Sequence, residues 1–183
     1  MKRVAKIVAS LLLSTALIST TWATENYLPS TSTAQMEKAP LIEIRNAKRA
    51  FPGILSGGQP TDAQLKEAKN KGFKTIISLR PISETQGESE ADIVRKLGMN
   101  YINIPVQGAA GITSQNSQAL IKALSDSSQY PVMVHCASGN RVGALFALDA
   151  ALREKRPVSE AIAIGKQAGM TRLEGIVRSK IEQ

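Results

Sequence analysis

The sequence predicts a single α/β domain of three layers, with a mostly parallel sheet flanked by helices. Three observations predict it. Short apolar runs rich in β-branched residues alternate with stretches of helical spacing, the order that gives parallel strands joined by helices. Glycines follow the first two helical stretches, at Gly72 and Gly98, where a helix can stop. No internal repeat interrupts the pattern, and 183 residues suffice for one domain with a real core.

The elements follow in order. A short extended piece, LIEIRN from Leu41, leads to FPGILSGGQP, where Gly57, Gly58 and Pro60 impose a turn. Thr61 and Gln64 have capping-box spacing, which predicts a helix over 62–71. Phe73 to Leu79, FKTIISL, reads as a buried strand. A helix covers about Ser89 to Leu97, with acids in its first turn. YINIPV, Tyr101 to Val106, is the next strand, followed by the glycine-containing loop QGAAGITSQN. Leu120, Ile121 and Leu124 lie at helical spacing within Ser117 to Ser125. Pro131 to His135 is the last strand, and Val142 to Leu152 is an apolar helix after it. Two further helices are expected at Val158–Ala168 and Thr171–Ile181, the second with a capping box from Thr171 to Glu174.

The first residues stand apart from this pattern. Lys2, Arg3 and Lys6 precede an apolar run from Ile7 to Ile18, which ends in Thr21-Trp22-Ala23. Residues 1–23 read as a secretory signal peptide cleaved after Ala23. The run is short of the roughly 20 residues a membrane span needs, so no membrane anchor is expected after cleavage. Residues 24–40 are polar, with two prolines and no periodicity, and read as a flexible leader. The domain proper is then 41–183, and the protein is expected to be periplasmic or secreted. The removed segment carries three basic and no acidic residues, so the net charge falls from +8 to +5. That surplus suits an anionic substrate. It does not suit nucleic acid, because there is no dense Lys/Arg run and aromatics are only 4%.

The chain has one cysteine and one histidine, side by side in VMVHCASGNRVGA. A single cysteine cannot form an internal disulfide, and one His with one Cys argues against a metal site. No cofactor is implied. Cys136 falls just past the last strand, at the carboxyl edge where such sheets bind ligands. In Cys136-Ala137-Ser138-Gly139-Asn140-Arg141, successive backbone N–H groups can converge on one anion. A helix N-terminus adds its positive end, Gly139 permits a backbone closed to other residues, and Arg141 offers a planar fork for oxyanions. The same positive ends lower a cysteine pKa from about 8.5. Cys136 could equally be a small apolar core residue, Ser138 and Asn140 could simply shape the turn, and His135 reads as an orienting residue or a hydrogen-bonded core histidine. An exported thiol also risks oxidation, which calls for burial or a reducing partner.

HCASGNRVG, with GGQPT upstream, ISLRPISE after the second strand and YINIPV beyond it, resembles a bacterial branch of the cysteine-dependent phosphatases. That branch is tyrosine- and dual-specificity-phosphatase-like and includes domains fused to NAD kinases or β-lactamase-like hydrolases. The resemblance implies Cys136 as the residue that accepts a phosphoryl group and Arg141 as its clamp. It implies a cradle formed by the N–H groups of Ala137 through Arg141. Three features depart from the family pattern. Four residues, not five, separate Cys136 from Arg141, Val142 stands where Ser or Thr is usual, and residues 107–118 hold no Asp or Glu to serve as general acid. Such an acid typically contributes about 10²–10⁴-fold; Glu84 and Glu88 are the candidates to replace it. The same departures fit a rhodanese-like sulfurtransferase carrying a persulfide on Cys136, with a sulfur donor in place of the phosphoester. A non-catalytic anion-binding module is the third alternative.

Overall fold

The structure, a computed structural model, describes residues 38–84 and 89–182. The expected signal peptide, most of the expected leader and the candidate acid Glu88 lie outside the described residues. The fold already includes Lys38 and Ala39, which the sequence had assigned to the leader. Lys38 forms a bridge with Pro52, and Ala39 is buried.

Five strands form one sheet in the order β1-β2-β5-β3-β4. They are β1 (Lys48–Phe51), β2 (Ile54–Gly57), β3 (Thr75–Ser78), β4 (Asn100–Asn103) and β5 (Val132–His135). The pairs β2–β5, β5–β3 and β3–β4 are parallel, and only the edge pair β1–β2 is antiparallel. The last residue of β5, His135, lies level with Gly57 on one side and Ser78 on the other. Loops after β2, β3, β4 and β5 therefore open on the same edge.

The β1–β2 hairpin corrects the sequence reading. LIEIRN forms no strand; the extended residues begin at Lys48, and ILSG, read as the start of a turn, is a fully buried strand. Gly57 serves close packing instead of turning the chain, since a Cβ there would collide with the Ile44 side chain.

Among the described residues six α-helices cover the two faces: α1 (Asp62–Asn70), α2 (Glu90–Lys96), α3 (Ser114–Ala123), α4 (Asn140–Leu152), α5 (Val158–Gln167) and α6 (Glu174–Ile181). Alternation along the strands sorts the core into two layers. Ile54, Ile77, Val132 and Val134 point into the larger core with α3 to α6. Leu55, Ile76 and Met133 point into the smaller one, with Leu65 and Ala68 of α1 and Val94 of α2. The capping box at Thr61 and Gln64 forms as expected. The one expected at Thr171 does not: α6 starts at Glu174 without a side-chain cap, and the Thr171 N–H is donated to the Asn140 Oδ1. Helix α4 is buried from Asn140 to Ala151, as a helix apolar on every side must be.

Candidate active site

Four chain segments converge at the carboxyl edge of the sheet. Cys136 follows β5 directly and is 1% exposed. Its sulfur accepts a hydrogen bond from the Gly139 N–H at 3.1 Å. Gly139 is the N-cap of α4 with φ +83°, a left-handed conformation that favours glycine. A Cβ at that position would also meet the Asn46 side chain. Arg141 is thus in the first turn of α4, and the chain folds back so that its guanidinium returns toward Cys136.

The loop is braced from two sides. Asn46 donates from Nδ2 to the carbonyls of Ser138 (3.1 Å) and Gly169 (2.9 Å). Asn140 accepts from the backbone N–H groups of Thr171 (2.8 Å) and Arg172 (3.1 Å). Ser138 also forms a bridge with Gly58. Ala137 is the exposed member of the loop.

Arg141 is 7% exposed and its donors are placed by three acceptors. Nη1 donates to Glu84 Oε1 (2.8 Å) and to the Val106 carbonyl (2.7 Å), and Nη2 donates to Glu84 Oε2 (2.6 Å). That engages three of the five N–H groups a guanidinium carries. Burial pulls the Arg141 pKa down, but contacts with Glu84 and with the Cys136 sulfur outweigh it and hold the pKa above its ordinary value. The bidentate bonds to Arg141 hold the Glu84 carboxyl below its ordinary range, against partial burial. Glu84, which the sequence offers as a candidate general acid, is placed by the structure as a bidentate partner of the arginine fork.

Behind the cysteine lies a second polar group. His135 is wholly buried, and its Nε2 is 3.0 Å from Glu90 Oε1. This is a close polar contact, with the ring N–H out of line for a well-formed hydrogen bond. Glu90 is itself 9% exposed. It accepts from Gln59 Nε2 (2.8 Å) and from the Tyr101 hydroxyl (3.3 Å). Burial pushes the Glu90 carboxyl up, but the contacts with His135, Gln59 and Tyr101 prevail and its pKa lies below the ordinary value. Gln59 Oε1 in turn accepts from Arg80 Nη1 (2.6 Å), and Arg80 Nη2 donates to the Glu84 carbonyl.

The sequence identified Cys136, Arg141, the loop and His135, and the structure brings these together with Glu84. It missed Glu90, Gln59, Asn46 and the Val106 carbonyl. Gln59 sat within the GGQPT motif and Glu90 among the first-turn acids, but neither position indicated a partner. Val142, which departs from the usual Ser or Thr, is fully buried in the larger core.

The family described as "DSP-PTPase phosphatase fused to NAD+ Kinase" matches residues 33–181. A beta-lactamase hydrolase-like protein of Agrobacterium fabrum is 33% identical over 127 residues, covering 67% of this chain and 29% of the relative. The chain thus spans less than a third of the length of the curated relatives it matches. Among solved structures, the core catalytic domain of the PP-IP phosphatase SIW14 from S. cerevisiae, in complex with citrate, superposes with a TM-score of 0.62 at 16% identity. That match covers 79% of this chain and 88% of the other. P. aeruginosa TpbA in complex with pTyr gives a TM-score of 0.56 at 14% identity, over 78% of this chain and 86% of that one. At these identities the structural matches establish the fold.

Proposed function

The chain belongs to the family of DSP-PTPase phosphatases of the kind fused to NAD+ kinase, and from that premise we propose that it hydrolyses phosphate monoesters through a phosphocysteine on Cys136. The observation that carries this is the pairing of Cys136 with a guanidinium held in place by Glu84 and Val106. In the first step the Cys136 sulfur attacks phosphorus, the S–P bond forms as the P–O bond breaks, and the alcohol leaves. In the second, water attacks phosphorus, the S–P bond breaks and orthophosphate departs. The remaining Arg141 donors and the N–H groups of the Ala137–Arg141 loop stabilise the equatorial oxygens.

No carboxylate lies in residues 107–118, and Glu84 is committed to Arg141. Without assistance from these positions the leaving oxygen departs poorly unless it is already a good leaving group, which favours aryl over alkyl esters. The residues at 1–23 support an exported enzyme, acting outside the cytoplasm on an anionic substrate. Burial of Cys136 suits that setting, since an accessible thiol would be oxidised.

Purified protein should turn over an aryl phosphate, and Cys136→Ser should abolish turnover. Mass spectrometry of acid-quenched protein should find a phosphoryl group on Cys136; an adduct on any other residue would overturn the mechanism. The four-residue loop and the absent acid favour a second reading, persulfide transfer. That reading would be marked by one added sulfur on Cys136 after thiosulfate and by no phosphoryl adduct. Protection against heat by phosphate or sulfate, without either adduct, would mark a binding module.

A further inference from the structure

We propose that Glu90 is a positioning residue, whose buried carboxylate sets the geometry of Cys136 and Arg141 from behind. The proposal rests on those two residues being the reacting pair. Glu90 sits at the first position of α2 on the smaller-core side of the sheet, and it touches neither of them directly. A surface acid at a helix N-terminus needs no burial, because the helix end already favours it in water. Glu90 has instead been taken out of solvent, and a buried charge is costly unless several donors surround it. Gln59 and Tyr101 donate to this one, and His135 Nε2 lies against it at 3.0 Å.

Its contacts run in two directions. Through His135 Nε2 they reach the residue that precedes the nucleophile. Through Gln59 they reach Arg80 and the Glu84 carbonyl, and Glu84 holds both Nη atoms of Arg141. The loop after β2, the last residue of β5 and Tyr101 of β4 therefore meet on one carboxylate, and the loop after β3 joins it through Gln59. Gln59 is the joint: its Nε2 donates to Glu90 while its Oε1 accepts from Arg80, so the amide cannot turn over without losing both bonds. An orientation fixed at Glu90 is in this way passed to the arginine fork. Positioning of this kind counts in catalysis because small misplacements of reacting groups lower rates steeply.

The test uses the purified chain and two readouts: kcat/KM for an aryl phosphate, and protection of Cys136 from iodoacetamide by inorganic phosphate. Unfolding temperatures are recorded separately. Glu90→Ala should lower kcat/KM and weaken phosphate protection by about tenfold each, the scale of a lost hydrogen bond to a charged group. Glu90→Gln keeps an acceptor in place of Oε1 and should recover both to within about threefold. Gln59→Ala, which cuts the same chain at a half-buried site, should reproduce the Glu90→Ala losses without a comparable fall in unfolding temperature. It decides the matter if Glu90→Ala does not fold. Full activity and full protection in Glu90→Ala or Gln59→Ala would overturn the proposal. So would equal losses in Glu90→Ala and Glu90→Gln, which would make charge the operative property and not geometry. Protection without turnover in the wild type would remove the phosphatase reading alone, and the variants would still be judged by protection. A wild type silent in both readouts would remove the phosphatase reading and this proposal with it.

Discussion

Replacing Glu84 with Gln asks the most of the site. The substitution leaves the shape of the side chain but removes one acceptor and the charge that faces Arg141. The wild-type contact consists of bonds of 2.8 and 2.6 Å between the Arg141 fork and both carboxylate oxygens. A hydrogen bond between charged partners contributes about 1.5–3 kcal/mol. Arg141 is 9% exposed at its side chain and Glu84 is 33% exposed, so solvent screens the carboxylate end and the lower part of that range applies. The amide can keep one bond but must turn its NH₂ toward the guanidinium or swing away. Loss of about 1.5–2 kcal/mol of orientation should cost roughly 10- to 30-fold in kcat/KM. The assay is aryl phosphate hydrolysis, run beside an alkyl phosphate whose leaving group needs a proton. A positioning role lowers both rates by a similar factor. A general acid would spare the aryl ester and depress the alkyl ester. The pH profile supplies an independent check. Glu84 has a depressed folded-state pKa, so the ion pair is present above the ordinary value of 4.5 and is lost as pH falls through the depressed value. Selective loss of the alkyl ester in Glu84→Gln, or a wild-type activity that rises below pH 4.5, would refute the assignment of Glu84 to the arginine.

Three further outcomes follow from the same geometry. Gly143→Ala should destabilise the fold by about 2–4 kcal/mol in urea unfolding, because the added methyl overlaps the Gly165 carbonyl and the Met170 N–H where α4 and α5 touch. Asn46→Gly keeps the positive φ of 53° but removes the bonds to Ser138 and Gly169. It should lower stability by about 1–2 kcal/mol and speed alkylation of Cys136. Glu90 contributes stability above its ordinary pKa of 4.5 that is lost as pH falls through its depressed folded value. Between pH 6 and 3 the urea midpoint should therefore fall further for the wild type than for Glu90→Gln.

Strand–helix alternation was legible from Phe73 onward because FKTIISL, YINIPV and PVMVH read as strand-forming runs and the helices between them have spaced apolar faces. The position of Cys136 followed from that order alone. The β1–β2 hairpin was not legible: its strands are four residues each, and Gly57 and Gly58 normally signal a turn. Here they are glycines because Ile44 and the Ala137 carbonyl crowd the space a side chain would fill. Thr171 and Glu174 have the right spacing for a capping box, yet Asn140 claims the Thr171 N–H from a distant part of the chain. Glu90 shows the same limit. Its local role as a first-turn acid is satisfied by sequence alone, and only the approach of β5 and the β2 loop makes it an interior group. What a short sequence window hides is the partner brought by tertiary folding.

The cysteine follows the middle strand of five, with neighbours bonded along both edges. The groups that would choose a substrate hang from the connections around it. For protein engineering this is a division of labour between anvil and tools. Arg80, Glu84 and Val106 must stay to hold Arg141, but the exposed stretch from Gln107 to Ala110 can be changed while the sulfur stays where it is. Amide exchange should accordingly be slowest from Val132 to His135 and fastest along Gln107 to Ala110. A library that varies those four outer residues should alter which esters are accepted long before it alters whether the protein folds.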